Sequence, residues 1–557
     1  MSKMNKMCPI CYLKNLFKPN YALTDIDTDE VFDNGVLRTP PMGWSSWNCF
    51  RNKISEDMIL EVAEAYKKSG LIEAGYKYLN LDDDWHSSLR DINGELQGDL
   101  SKFPNNIKPL VEKLNALGLK VGIYSSNGTL TCEDLPASEG NEDRDAYTFA
   151  KWGIEYFKYD FCHNVPISKN APLISMMSLA KLGEKESIVL SADTAHLEGT
   201  ARVFKDKKMP NGIFVSGLDA NKGAMTFENI NIETSGKYCL TLTVKKVGVN
   251  YDKYAMILVN GKRKYEITTP GCKPFNDYTR CQTVIDLDEG VNTIKIFNPI
   301  AKNRDSARIL YKRMSDSLIA QTERYADEVG QPVKPIAFSI CEWGFNKPYL
   351  WGRYTGNLWR TTPDIRPWFR WIDIIYRKTV KLYEYAGVGT YNDPDMLEVG
   401  NGKMTPVRNR THFTLWCMMA SPLILGNDLR KFILPNGEAD KDNETLKVIT
   451  NKNLIAIDQD ALCKPAKPIK KGLIDILARP LEGGKVALCF YNRSKIKRTI
   501  KFDIRRLIND SYVHLADAVN YVSEEQWTEE ATEGNIINAK LDKDGVKVYV
   551  ITPKNQG

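Results

Sequence analysis

The 557-residue chain reads as an α/β protein: a (β/α)8 TIM barrel interrupted by an inserted β-sandwich and followed by a C-terminal antiparallel β-sandwich. Three observations predict this. Eight short apolar runs, with helix-like segments between them, each end in polar or aromatic residues, the pattern of a parallel barrel. The fourth and fifth runs are separated by far more chain than one helix and its loops need. Tryptophan is also unevenly placed: of eleven, ten lie in the segments carrying the runs, one is Trp527, and none falls between Trp152 and Trp343.

Residues 1–37 form an N-terminal extension whose opening, MSKMNKMCPICYLKNLF, carries early lysines. Lys14 interrupts its short apolar run, so it makes no clear export signal. Cys8 and Cys11 form a C-x-x-C with no second pair nearby, too few ligands for a zinc site. The first part of the barrel, 38–187, contributes runs ending at MGWSSWN (42–48), YKYLNLDDDW (76–85), LKVGIYSSN (119–127) and IEYFKYD (154–160). Between them, SEDMILEVAEAYKKSGLIEAG repeats apolar residues at intervals of three and four, an amphipathic helix. The insert, 188–311, alternates apolar and polar residues in AMTFENINI, KYCLTLTVKKV, YAMILVNGKRKYEI, CQTVIDL and NTIKIFN, with turn signals at VNGK and DEGVN. A helical segment, YKRMSDSLIAQTERYADEVG, resumes the barrel. Its second part, 312–462, supplies IAFSICEWG (336–344), GNLWRTTPD (356–364), GVGTYNDPD (387–395) and SPLILGND (421–428). The tail, 463–557, returns to strands and turns in KVALCFYNRS, KRTIKFDI and GVKVYVITP.

With 43% hydrophobic and 26% charged residues the composition is that of a soluble globular protein. The 76 basic residues barely exceed the 70 acidic ones and are scattered, which argues against nucleic-acid and membrane-surface partners. Apolar runs fall short of the roughly 18 residues that span a bilayer. The five histidines, His86, His163, His196, His412 and His514, are too dispersed for a metal set, so neither metal nor cofactor is expected. Nothing in the pattern sets an oligomeric state.

Chemistry collects at the ends of the runs: Trp44, Asp82, Asp83, Tyr124, Lys158, Asp160, Glu342, Trp343, Arg360, Asp364, Asp393 and Asp395. Carboxylates and aromatics at a barrel mouth suit a sugar, because rings stack on the apolar face of a pyranose while carboxylates accept its hydroxyl hydrogens. Two carboxylates can then act on the glycosidic bond. In FKYD, Lys158 and Asp160 leave the same face of a strand. That pairing is either an ordinary buried salt bridge or a working site.

The motifs TPPMGWSSWNCF, YLNLDDDW, GIYSSNGTLTC, FKYDFC, SICEWG, WRTTPDI and YNDPDMLEVGNGKMT, in this order, resemble glycoside hydrolase family 27, the α-galactosidases and their relatives. The resemblance implies a carbohydrate substrate and a retaining mechanism. It matches Asp160 to the nucleophile and Asp364 to the acid/base, with Lys158 and Arg360 holding Asp160 ionised and a less compensated Asp364 holding a proton. It matches Asp82 and Asp83 to the hydroxyls on the far side of the ring, and Trp44, Tyr124, Lys158, Glu342, Trp343, Arg360 and Met396 to the sugar-binding wall. Glu342 and Phe345 fill the space that a 2-acetamido group would need. Cys132 and Cys162 match a disulfide beside the pocket. The family favours a secreted or periplasmic location.

Three places depart from the family pattern. Asp84 stands where many relatives carry a cysteine that pairs in the Cys49 region, Ser126 and Asn127 replace Asp-Ala, and Pro363 precedes the acid/base with RPWFRW after it. The insert is similar to carbohydrate-binding modules of the family 35 and 6 type; it lacks tryptophan, and Tyr251, Tyr254 and Tyr278 are the candidate stacking rings. Three readings stay open: an exo-acting α-galactosidase, a β-L-arabinopyranosidase or other specificity of the family, and an inactive sugar-binding protein.

Overall fold

The computed structural model describes residues 30–184, 187–247, 251–269, 271 and 277–554; the Cys8 and Cys11 pair lies outside them. All eight apolar runs form strands of one parallel sheet: β1 (Met42–Ser45), β2 (Tyr78–Asn80), β3 (Lys120–Ser126), β4 (Tyr156–Asp160), β5 (Ala337–Cys341), β6 (Leu358–Arg360), β7 (Tyr391–Asp393) and β8 (Leu423–Leu425). They pair in chain order from β1 to β7, and β8 returns to pair with β1. A parallel bridge between Leu397, just beyond β7, and Leu425 joins the remaining edges and closes the barrel. Six of the eight end on a polar residue: Ser45, Asn80, Ser126, Asp160, Arg360 and Asp393.

The intervening helices form for local reasons. In α1 (Glu56–Lys68), Ser55 caps the N-terminus by accepting from Met58 N, Glu56 and Asp57 face the positive end of the helix dipole, and Lys67 and Lys68 face the negative end. The helix Glu142–Trp152 ends at Gly153, whose φ of 80° closes it in the left-handed region. Inside the barrel, a side chain at Gly122 would collide with Asn80, 1.9 Å from an added Cβ, so glycine is what lets two neighbouring strands share that space.

The described residues divide into two compact units, those within Met1–Asn164 and Leu310–Gly557, and those within Val165–Ile309. The second starts upstream of the expected residue 188, because Leu173–Lys181, an apolar alternation in sequence, pairs antiparallel with Gly236–Lys245 as a sandwich strand. The unit has two antiparallel sheets, one centred on Gly290–Phe297 and Lys253–Val259, the other on Gly236–Lys245 and Leu173–Lys181. Their inner faces meet in a core that includes Ile174, Leu240, Leu242, Ile257, Ile294 and Ile296. The expected ring set changes: Tyr251 and Tyr278 are exposed, whereas Tyr254 is buried with its hydroxyl on Glu266, so it has no face to offer a sugar.

The tail is a six-stranded antiparallel sheet with a two-stranded partner, Arg498–Asp503 with Ile536–Leu541, around Leu488, Phe490, Phe502 and Ile537. Arg479, fully buried on its strand, donates to the backbone carbonyls of Cys417 and Asp458 and so ties this sheet to the last barrel helices. Among the described residues no helix is long and apolar enough to cross a membrane.

Candidate active site

Asp160 ends β4. Alternation along the strand sends Phe157 and Tyr159 outward against Phe149 and Tyr311, and leaves Tyr156, Lys158 and Asp160 on the inner face. In register, Lys158 lies level with Tyr124 of β3 and Ser339 of β5, and Asp160 level with Ser126 and Cys341. Asp160 is 4% exposed; its Oδ1 accepts from Phe161 N at 2.9 Å, and its carbonyl accepts from Tyr311 Oη and Asn127 N. Burial raises its pKa to about 6; Lys158 pulls it down, and the charge of Asp364 pushes it up.

Lys158 makes its direct bond elsewhere. Its Nζ donates to Asp82 Oδ2 at 2.9 Å and lies 5.2 Å from the centre of the Tyr124 ring. Burial alone would lower the lysine, but Asp82, Cys341 and Asp160 around it raise it well above its ordinary value, so it stays charged. Asp82 also receives Ser45 Oγ at 3.1 Å and Asp83 N at 3.0 Å. The neighbouring Asp83 turns away, accepting from the backbone N–H groups of Asp84 and Glu133, and burial lifts it to about 7.

Arg360 ends β6. It reaches Asp395 Oδ2 at 2.8 Å, Asp364 Oδ1 at 3.1 Å and the Thr362 carbonyl at 3.1 Å. The compensation is therefore arranged differently from the sequence expectation: Lys158 sits on Asp82, and Arg360 bridges Asp364 and Asp395. Arg360 pairs with Asp364 because the two are four residues apart on one tight turn, while Asp160 hangs from the next strand but one. The Asp364 side chain is 45% exposed, and Trp371 Nε1 donates to its carbonyl. Thr362, just before Pro363, is buried, and its carbonyl is taken by Arg360.

Asp82, Lys158, Arg360, Asp393, Asp395 and Met396 line one cavity at the head of the barrel. The other expected residues, Asp160 and Asp364 among them, are not in its lining and make contacts of their own. Trp44 is fully buried with Nε1 on the Asn427 carbonyl, and Tyr124 is buried with its hydroxyl on Cys132 Sγ. Glu342 is fully buried, both oxygens accepting from Asn346 N at 2.9 and 3.0 Å, and burial raises it to about 8. It closes the loop that holds Trp343 in the left-handed region, φ 56°, edge-on to Phe161 and Phe345. Cys132 and Cys162 are disulfide-bonded, and the sulfur of Cys132 lies 4.0 Å from Asp160 Oδ2.

At two departures from the family pattern the structure supplies a substitute contact. Asp84 forms a 2.5 Å ion pair with Lys102, and Cys49 is free. Ser126 Oγ donates to the Cys162 carbonyl at 2.8 Å, binding the end of β3 to the turn after Asp160. Two contributors, Ser45 and Tyr311, escaped the sequence reading of the site, and so did the pairing of Asp395. Ser45 had a signal, lying in MGWSSWN at a strand end, and Asp395 was visible at the end of YNDPD, but nothing local marked it as the partner of Arg360. Tyr311 had none, since its helical segment looks like any outer helix.

The family model described as alpha galactosidase A matches residues 39–207 and 269–460. The chain belongs to that family. Its alpha-galactosidase kinship extends beyond the barrel. A "Probable alpha-galactosidase B" from Talaromyces emersonii is 32% identical over 79% of this chain and 73% of its own length. "Alpha-galactosidase A" from Cellvibrio japonicus is 29% identical over 93% of both. Among solved structures, alpha-galactosidase I from Mortierella vinacea superposes with a TM-score of 0.62 at 25% identity, covering 94% of this chain and all of that one.

Proposed function

We propose that the protein is an exo-acting, retaining glycoside hydrolase that removes terminal α-linked galactose, with Asp160 as nucleophile and Asp364 as acid/base. The observation that carries this is the asymmetry of the pair: Asp160 is enclosed at the end of β4 with Lys158 and the disulfide beside it, and Asp364 stands at the half-exposed rim on Arg360.

A carboxylate oxygen of Asp160 attacks the anomeric carbon as the bond to the leaving oxygen breaks, and Asp364 hands that oxygen its proton. Donation leaves Asp364 anionic 3.1 Å from the Arg360 guanidinium, so the arginine stabilises the charge that the step creates. In the second half, Asp364 takes a proton from water, the water oxygen bonds to the anomeric carbon, and Asp160 departs as a carboxylate. Asp82, fixed by Lys158 and Ser45, accepts sugar hydroxyl hydrogens. Galactose is favoured over L-arabinopyranose because the relatives that span most of the chain carry alpha-galactosidase names.

The test is a pair of variants on two galactosides. Asp160→Asn abolishes turnover and leaves galactose binding measurable. Asp364→Asn slows galactosyl sugars, which leave poorly, about a hundredfold or more beyond its effect on an activated aryl α-galactoside. Equal losses on both substrates contradict the acid/base assignment. A wild-type protein inert toward aryl α-D-galactoside overturns the galactosidase reading.

A further inference from the structure

The turn that carries Asp364 runs directly into a groove unlike the rest of the site. Its lining includes Pro367, Trp368, Arg370, Trp371, Lys403 and Arg408. Trp368 is 67% exposed, the one tryptophan among the strongly exposed large apolar side chains of the described residues. A ring of that size held in water has no packing function, and an exposed flat face beside a glycosidic site is a stacking platform. The groove is fastened to the catalytic turn: Trp371 Nε1 donates to the Asp364 carbonyl at 2.8 Å, and Gly402, φ 66°, lies so close to Pro367 that an added Cβ would be 2.7 Å from its carbonyl oxygen.

Its charge is one-sided. Arg408, half-buried, is already neutralised by Asp544 at 2.8 and 3.0 Å. Arg370 and Lys403 are exposed and, among the described residues, form no ion pair. Two unpaired cations beside an exposed indole form a site for a ring that bears a negative charge.

We infer that this groove binds the leaving-group side of the substrate and takes an acidic sugar, a hexuronic acid or a sulfated hexose, stacked on Trp368 with its anion on Arg370 and Lys403. The inference rests on the galactosidase reading and narrows its substrate class.

The experiment compares kcat/KM on three disaccharides in which α-galactose caps glucose, glucuronic acid or sulfated galactose, for wild type, Arg370→Gln/Lys403→Gln and Trp368→Ala. The double variant loses about tenfold or more on whichever acidic disaccharide wild type prefers, the worth of one charge-assisted contact, with a smaller loss on the neutral one. Trp368→Ala lowers all three. The two acidic arms identify the anion, carboxylate or sulfate. An acidic-to-neutral ratio that the double variant leaves unchanged overturns the inference, as does a wild type that prefers the neutral disaccharide. If wild type cleaves none of the three, the aryl α-D-galactoside decides the galactosidase reading by itself. The groove is then decided by calorimetry with a glucuronic acid trisaccharide: binding lost in the double variant supports it, and no binding to wild type refutes it.

Discussion

Replacing Lys158 by methionine keeps the stem and removes the ammonium, which isolates the electrostatic part of the site. The pair it breaks is 2.9 Å long, with Asp82 at 3% side-chain exposure and Lys158 at 22%. At that distance and an effective dielectric of about 20, the gross attraction is roughly 6 kcal/mol, much of it offset by desolvation. Removing one partner leaves a buried carboxylate uncompensated, which costs about 3–5 kcal/mol. Denaturant unfolding of Lys158→Met measures this. The double variant Lys158→Met/Asp82→Asn recovers most of the loss, because no lone charge remains. A second readout concerns Asp160, held at about 6 by burial against the pull of Lys158. Without the ammonium its pKa climbs, so the acid limb of kcat/KM for an aryl galactoside moves up by about one unit, equivalent to about 1.4 kcal/mol. An acid limb that does not move, or a double variant as unstable as the single one, refutes the reasoning.

Several buried carboxyls bind protons more tightly in the fold than in the open chain: Asp83 and Glu398 at about 7, Glu342 and Asp458 at about 8. The folded state therefore holds more protons between their unfolded and folded values, and stability falls as pH rises from about 5 to about 8. Thermal unfolding across that range checks the sign, and a midpoint that rises instead contradicts it. Glu342→Gln is tolerated near neutrality, since burial already keeps the carboxyl neutral there, whereas Glu342→Ala frees the Trp343 loop and costs about tenfold or more in kcat/KM. Galactose-site kinetics of the two variants separate these outcomes. Cys132→Ser/Cys162→Ser opens a loop with a sequence separation of 30 and lowers stability by about 3–4 kcal/mol. An unfolding midpoint that the double serine variant leaves unchanged counts against that expectation.

Much of this was written into the chain itself. Eight apolar runs ending in polar residues determined a parallel barrel, because burying such strands on both faces leaves their ends as the only wet places. The lack of tryptophan between Trp152 and Trp343 marked the interruption, and FKYD and WRTTPD marked both carboxylates. Local pattern placed the insert's start late because Leu173–Lys181 becomes recognisable as a sandwich strand only beside Gly236–Lys245, far along the chain. The partners of the charges were likewise decided by tertiary structure. Lys158 stands only two positions from Asp160 in sequence, yet its ammonium bonds Asp82, which only closure of the barrel brings within 2.9 Å. Sequence spacing orders side chains along one strand, while Coulomb interactions also act across strands, so the Lys158–Asp82 and Arg360–Asp395 pairs arise only when the staves stand side by side.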